Sequence, residues 1–281
     1  MTALKICRTE PKGETMTTFR RAACVLLAAA SFLAPPAQST SFGTDQSDLY
    51  YIPAESGWGV QLVQRGSVIF ATMFVFGADN TATWYVATLN FVSGSTWTGD
   101  LYTGTGPYFG TVPFNPLNVV GRKAGTMTWV AQTLGTGTLS YVADGVAVTK
   151  NVIRQTLVVD DYSGTYMGAF HFTTTACTDP SNNGSGEIPL LTITITQTGQ
   201  SISIGISILG VAGITISGML SQSGQFGAVL GTYTDTTGDS GTASVSALNV
   251  QTNAIAGTFS QSSAIEGCQT VGYFAGMRSR P

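Results

Sequence analysis

Short runs of strand-forming residues, separated by turn residues, extend from about residue 40 to the end of the chain. Val, Ile, Thr, Tyr and Phe dominate the runs, while Gly, Asn and Asp separate them, and the stretch from Ile202 to Ile208 alternates strictly. A period of two is typical of β-strands, and no stretch after residue 40 has the period of a helix. The chain is therefore predicted to be all-β.

The predicted strands form two halves of about eight strands each. In the first half they are 59–64, 68–76, 81–90, 95–102, 125–132, 136–142 and 146–159. In the second half they are 162–172, 188–198, 201–208, 212–220, 225–234, 241–248, 254–260 and 268–277. Asp160-Asp161 marks the expected boundary between β domains at 42–159 and 160–281. Such short antiparallel strands form sandwiches or up-and-down barrels, and a barrel like those of lipocalins and streptavidin is favoured for the second half.

The beginning of the chain has the composition of an export signal. The basic pair Arg20-Arg21 precedes an apolar run, and Ala37 and Ser39 supply the small residues that a signal peptidase requires. The run is too short to cross a bilayer as a helix, which takes about 20 residues. We therefore expect a leader and signal peptide at 1–39, with Met16 as an alternative start, and an exported protein located in the periplasm or outside the cell.

Only Cys177 and Cys268 follow this leader. Because the compartments outside the cytoplasm are oxidising, two cysteines in an exported chain predict one disulfide, although two buried free thiols are the alternative. The bridge would close a loop of about 90 residues, worth about 4 kcal/mol in the chain-entropy model. We expect it to brace the second domain.

Composition argues against several classes of function. The chain has 12 Lys and Arg residues, 15 Asp and Glu residues and one His. Without clustered basic residues it cannot neutralise a phosphate backbone, so nucleic-acid binding is not expected. A single histidine excludes a multi-histidine metal site. The loop from Asp179 to Gly184 begins like a calcium loop, but Leu190 occupies the twelfth position in place of the bidentate Glu. We expect neither a metal nor a cofactor.

Three motifs follow one another in the first half, and further phrases mark the second. The motifs are Ser56-Gly57-Trp58-Gly59, Phe70-Ala71-Thr72-Met73-Phe74 and Thr83-Trp84-Tyr85-Val86. With the Gly-Thr-Tyr phrases, the cysteine pair and the Ala275-Gly276-Met277-Arg278 ending of the second half, this order resembles a group of bacterial secreted β-rich proteins. Met73 stands where the group is expected to have tryptophan. The resemblance implies secretion and β structure, and it transfers no catalytic residue because the group has no established activity.

Aromatic side chains are the candidate ligand-binding residues, namely Trp58, Trp97, Tyr102, Tyr108 and Phe109. Trp58 lies between two glycines that would let a ligand approach the backbone, although the neighbouring aromatic residues favour a tryptophan that pins the first strand to the core. The other four flank a loop rich in Gly and Pro at 103–116. Loops on rigid scaffolds concentrate binding residues, although loop aromatics can also simply cover a barrel mouth.

Candidate catalytic groups are few. His171 is the only imidazole and lies inside an apparent strand, and no Gly-x-Ser-x-Gly elbow accompanies it. Glu55, Asp100, Glu187 and Glu266 are available for glycoside hydrolysis. That reaction needs two carboxyls about 5–10 Å apart, which the sequence does not establish for any two of them. No catalytic residue is assigned.

These observations predict an exported, non-catalytic binding or interaction protein whose ligand is a glycan or a small apolar molecule. A carbohydrate-active hydrolase is one alternative, and an outer-membrane β-barrel is the other. Low charge and strand alternation favour the membrane barrel. Many short strands and the Arg278-Ser279-Arg280-Pro281 ending argue against membrane insertion. The oligomeric state is left open.

Overall fold

A computed structural model describes residues 44–208 and 211–279. Within them the chain is all-β, as predicted, and sixteen antiparallel strands form two closed barrels. Closure excludes the sandwich alternative. In the described part of the chain, no helix has the length and apolar character needed to cross a membrane. The predicted leader at 1–39, including Met16, lies outside the described residues.

The first barrel is an eight-stranded meander. Its strands are β1 Asp48–Tyr51, β2 Gly59–Arg65, β3 Val68–Phe76, β4 Ala82–Ser93, β5 Thr96–Thr105, β6 Val120–Ala131, β7 Thr136–Ala143 and β8 Val146–Arg154. Each strand pairs with the next, and β8 pairs with β1 to close the barrel. The sequence prediction omitted β1 because four residues are too few to establish an alternation.

The second barrel repeats the same order. Its strands are β9 Gly164–Thr175, β10 Gly184–Thr198, β11 Ser201–Ile208, β12 Val211–Ser223, β13 Phe226–Asp235, β14 Ser240–Gln251, β15 Ala254–Ser263 and β16 Gln269–Arg278. Strand β16 pairs with β9 to close it. The predicted boundary at Asp160-Asp161 lies between β8 and β9, and both barrels belong to one compact unit.

Each barrel is filled by the apolar side chains of alternate strand positions. In the first barrel Trp129 is completely buried and its ring lies over Gly137 of β7. In the second barrel, isoleucine and phenylalanine side chains leave an enclosed space of only about 10 Å³. A space of this size holds about one water molecule, far less than the roughly 300–1,000 Å³ of a typical ligand pocket.

Replacing Gly137 with alanine is expected to destabilise the first barrel by about 1–3 kcal/mol. The added methyl group would overlap the indole ring of Trp129, which is enclosed on every side and has no space into which to move. Thermal unfolding followed by tryptophan fluorescence measures the effect. Gly121→Ala is the matched control, because a methyl group there meets no atom within 4 Å. Equal midpoints for the two variants would contradict the prediction.

The two barrels close through the same pair of side chains, which we call the seam pair. In the first barrel Arg154 of β8 lies over the ring of Tyr50 of β1, with 5.2 Å between the guanidinium carbon and the ring centre. In the second barrel Arg278 of β16 lies over Tyr166 of β9 at 5.0 Å. Each tyrosine hydroxyl donates to the backbone carbonyl four residues earlier in the chain.

A glutamine and a serine support each seam pair in the same way. The backbone amide of Gln64 donates to the hydroxyl of Ser47 at 2.7 Å, and that of Gln197 donates to Ser163 at 3.1 Å. Both glutamine side chains also accept a hydrogen bond from the backbone of the segment that precedes the first strand. The end of each barrel that carries the seam pair is therefore built by one repeated arrangement.

The seam end of the first barrel contacts the second barrel. Gln225, in the turn between β12 and β13, donates its side-chain amide to the carbonyl of Ser47 at 2.8 Å and its backbone amide to Asp48 at 3.1 Å. The guanidinium of Arg154 lies 4.9 Å from the ring centre of Phe226. The long loops of the first barrel lie at its opposite end.

Candidate functional site

Four connections of the first barrel lie at the end opposite the seam pair. They are 52–58, 77–81, 106–119 and the turn Asp144-Gly145, and they meet at one end because the strands alternate in direction. We call this the loop end. Barrel mouths of this kind are a common position for ligand sites. The side chains collected there include aromatic, acidic and basic groups.

An ion pair lies beside a tryptophan at the loop end. Lys150, on the inward-facing side of β8, donates to Oε2 of Glu55 at 2.6 Å, and Nε1 of Trp58 donates to the same oxygen at 3.0 Å. The ammonium lies 5.8 Å from the centre of the indole ring. The hydrogen bond from Lys150, followed by that from Trp58, lowers the pKa of Glu55.

Two tyrosines and a second ion pair complete the cluster. Tyr85 of β4 donates its hydroxyl to Asp144 at 3.3 Å, and Arg122 forms a bidentate pair with the same carboxylate. Burial raises the pKa of Tyr141 of β7. The charge of Lys150 acts in the opposite direction, and Tyr85 adds to the increase. Burial also raises the pKa of Tyr85. Both phenols are therefore hydrogen-bond donors at neutral pH.

We call these residues the mouth cluster: Glu55, Trp58, Tyr85, Tyr141, Asp144 and Lys150. The cluster offers ring faces, hydroxyl donors and two carboxylates whose charges are already paired. The side chain of Lys150 is 31% exposed and that of Glu55 is 42% exposed, so solvent reaches it. Such a set suits a neutral polyhydroxylated ligand, because each polar group can hydrogen-bond to it without stripping water from an unpaired charge.

The five predicted ligand-binding residues occupy four different environments. Trp58 belongs to the mouth cluster and also packs against the core. Its position is therefore compatible with both interpretations of the sequence, as a ligand-binding residue and as an anchor of the first strand. Tyr108 and Phe109 project from the 106–119 loop at the same end, 69% and 88% exposed. Tyr102 is 43% exposed on the outer wall, and its hydroxyl lies 3.5 Å from Asp100. Ligand contact by these four remains a prediction.

Trp97 requires a correction. It is 3% exposed inside the first barrel, where its ring packs edge-on against Phe91 at 5.4 Å between centroids. Its position at the start of β5 places it near the seam end, away from the loop end. A side chain enclosed in this way cannot contact a ligand at the loop end, so Trp97 is a core residue.

Tyr85, Tyr141, Asp144 and Lys150 were not identified as site residues from the sequence. A signal for two of them, Tyr141 and Asp144, is present, because the dipeptide Asp144-Gly145 is typical of a two-residue hairpin turn. Strand alternation outward from that turn places Tyr141 on the same face as the buried Leu139 of β7. A lysine on the inward face of a barrel strand is unusual enough to indicate a site.

The four carboxylates considered for hydrolysis are divided between the two barrels. Glu55 is paired with Lys150, and Asp100 is paired with Lys123 at 2.7 Å. Glu187 and Glu266 belong to the second barrel. A general acid needs a raised pKa, whereas the pKa of Glu55 is lowered.

The second barrel carries the predicted disulfide, Cys177–Cys268, with a sequence separation of 91. The bridge joins the β9–β10 connection to the segment before β16, and a disulfide fits an exported protein.

Two other residues considered from the sequence also lie in the second barrel. Asp179, the first residue of the calcium-like segment, caps a short 3₁₀ turn by accepting from the amide of Ser181. His171 lies on the outer wall and stacks on Tyr273 at 4.9 Å.

Comparison with solved structures finds a distant structural likeness. A crystal structure of a candidate outer membrane protein from Bacteroides fragilis is 13% identical in sequence, with a TM-score of 0.33. The match covers 84% of this chain and 96% of that chain. No protein-family model matches the chain, and no curated protein matches it. A likeness at this level carries no information about function.

Proposed function

We propose that this is an exported, non-catalytic glycan-binding protein whose first barrel holds its ligand at the mouth cluster. The observation that carries the proposal is the grouping of Trp58, Tyr85 and Tyr141 with the Glu55–Lys150 pair at one accessible end of a rigid barrel. Sugars present apolar ring faces and hydroxyl groups, which match indole faces and hydrogen-bonding groups respectively. The disulfide supports location in the periplasm or outside the cell.

The filling of the second barrel supports a glycan rather than a small apolar ligand. Its interior leaves about 10 Å³, so an apolar molecule would have to expand the core to enter. A groove of about 520 Å³ runs along its outer wall near Met167, Leu190 and Met277, but it is lined mainly by apolar groups and backbone. Its polar side chains are those of Asn249 and Gln251, and Asn249 already donates to the carbonyl of Gln225.

The distribution of side chains does not favour the membrane-barrel alternative. Outer-membrane barrels have an apolar outer band and a polar interior. Here the interior of each barrel is apolar, whereas outer-wall positions include the hydrogen-bonded pair Ser246 and Thr258 and the paired Thr98 and Thr128. This is the distribution of a barrel that folds around its own apolar core.

Replacing Trp58 with alanine is expected to weaken glycan binding about tenfold, because the ligand loses the ring face on which it stacks. The mature protein is first screened on a glycan array, and affinity for the best ligand is then measured by calorimetry. Trp84→Ala is the matched control, because Trp84 is 44% exposed on the outer wall. Its affinity is expected to remain within about twofold of the wild type, well under 1 kcal/mol.

Three outcomes would contradict the proposal. Equal losses of affinity in the two tryptophan variants would show that the glycan does not bind at the mouth cluster. A small apolar molecule retained in native mass spectrometry, together with an array free of signal, would favour the other ligand class. Release of cleaved product from a bound glycan would favour the hydrolase.

A further inference from the structure

The connection between β5 and β6 carries an unusual concentration of exposed apolar side chains. We call residues 106–119 the apolar loop. Six of its large apolar side chains are more than half exposed: Tyr108 69%, Phe109 88%, Val112 92%, Phe114 52%, Leu117 87% and Val119 51%. Single exposed apolar residues are common in soluble proteins, but a contiguous group of this kind marks an interaction surface.

The backbone of the apolar loop holds these side chains outward. The amide of Thr111 donates to the carbonyl of Tyr108 at 2.9 Å and forms a tight turn. Asn115 caps the 3₁₀ turn Pro116–Asn118 by accepting from the amide of Leu117 at 3.0 Å. Because the turns are fixed by hydrogen bonds and by proline, the side chains cannot fold back onto the barrel without breaking them.

The apolar loop lies in the middle of an uncharged stretch. Residues 101–121 contain no Asp, Glu, Lys, Arg or His. The first charges after it, Arg122 and Lys123, are paired with Asp144 and Asp100 respectively. Burial of the loop in an apolar medium would therefore bury no ionised side chain of residues 101–121.

Further aromatic rings lie on the neighbouring outer wall. Phe74 and Phe76 of β3 are 59% and 61% exposed, and Trp84, opposite Phe74 on β4, is 44% exposed. The hydroxyl of Thr103 on β5 donates to the carbonyl of Trp84, which places that ring near the base of the loop. Exposed apolar side chains on a loop, with the indole of Trp84 on the adjoining wall, suit a membrane interface, where amphipathic rings occupy the headgroup level.

We propose that the apolar loop inserts into the surface of a phospholipid bilayer and attaches the protein peripherally. Phe109, Val112 and Leu117 enter the acyl region, while the barrel remains in water. This differs from the spanning barrel considered above, because only a loop enters the lipid. It goes beyond glycan binding, since the mouth cluster and the loop present different chemistry. The absence of charged residues from 101–121 selects the lipid interior, rather than the headgroup charge, as the source of affinity.

Flotation with vesicles tests the proposal. The mature protein is mixed with phosphatidylcholine vesicles, with or without phosphatidylglycerol, and centrifuged through a density gradient. The wild type is expected to float with both vesicle types and to remain bound in about 1 M NaCl, where electrostatic attraction is screened within about 3 Å. Leu117→Ser is expected to reduce the partition coefficient at least about tenfold, because one buried leucine is lost.

Leu230→Ser is the matched control, because Leu230 is 71% exposed on the second barrel. It is expected to float like the wild type. Failure of the wild type to float, or equal behaviour of the two serine variants, would overturn the proposal. Concentration-dependent association that Leu117→Ser abolishes, without flotation, would overturn it in favour of a second copy of the chain. Because the vesicles contain no glycan, these results are independent of the Trp58 experiment.

Discussion

Replacing Arg154 with alanine is expected to lower the free energy of unfolding of the first barrel by about 3–5 kcal/mol, the range for removing one partner of a buried ion pair. The Arg154 side chain is fully buried, and it donates to the carbonyls of Leu134 at 2.7 Å and Ser47 at 3.1 Å and to Asp48 at 3.2 Å. Its removal leaves the carboxylate of Asp48, 15% exposed, without its cation and leaves the carbonyls without a donor.

Tryptophan fluorescence isolates this effect, because all four tryptophans of the chain belong to the first barrel. Urea unfolding is followed through the indole signal of the variant and the wild type. Lys123→Ala is the matched control, since its ion pair with Asp100 is about half exposed on both sides and is worth at most about 1 kcal/mol. Similar losses in the two variants would show that the seam pair does not hold the barrel closed.

Removal of the disulfide is expected to lower the stability of the second barrel by about 4 kcal/mol. The bridge spans 91 positions, and the chain-entropy model assigns that amount to a loop of this length. In the double variant Cys177→Ser and Cys268→Ser, the unfolded chain recovers the conformations that the bridge denies it. The folded barrel should persist, because its core of eighteen buried residues includes neither cysteine.

Circular dichroism reports both barrels, whereas indole fluorescence reports only the first. The double variant is therefore expected to shift the dichroism transition to lower urea while shifting the fluorescence transition less. A thiol reductant added to the wild type should reproduce the result, and Ser262→Ala provides a mutational control on the adjoining strand β15. Unchanged dichroism in the double variant would refute the expected contribution.

Alternation and turn chemistry were sufficient to predict the all-β class and most strands, because every strand has one face buried in a barrel. Several strand ends were misplaced, and the physical reason is clear for two of them. Strand β10 begins at Gly184 rather than 188, since its polar first residues pair with β9 and have no buried face to reveal them. Strand β8 ends at Arg154 rather than 159, since Leu157, Val158 and Val159 are apolar but exposed.

The candidate site was less accessible to sequence reasoning. Tyr108 and Phe109 could be selected from their loop, but the mouth cluster joins residues from distant strands. Glu55 and Lys150 are 95 positions apart, and Tyr85 and Asp144 are 59 positions apart. Closure of the barrel brings these residues together. Closure depends on which strands pair with one another, and the sequence of a single strand does not reveal its partners. The burial of Trp97 likewise follows from the position of its strand in the closed barrel.

The repeated seam pair has a consequence for how such a chain can evolve. Closure of each barrel depends on one end, where Tyr50 and Arg154 in one copy correspond to Tyr166 and Arg278 in the other. The connections at the opposite ends contribute nothing to that arrangement, so they can be lengthened, charged or cross-linked without loss of the scaffold. At that end the first barrel carries a charged aromatic mouth, and the second carries a covalent bridge. In a chain of two such barrels, the side chains that close each barrel and the connections that can vary with function thus lie at opposite ends.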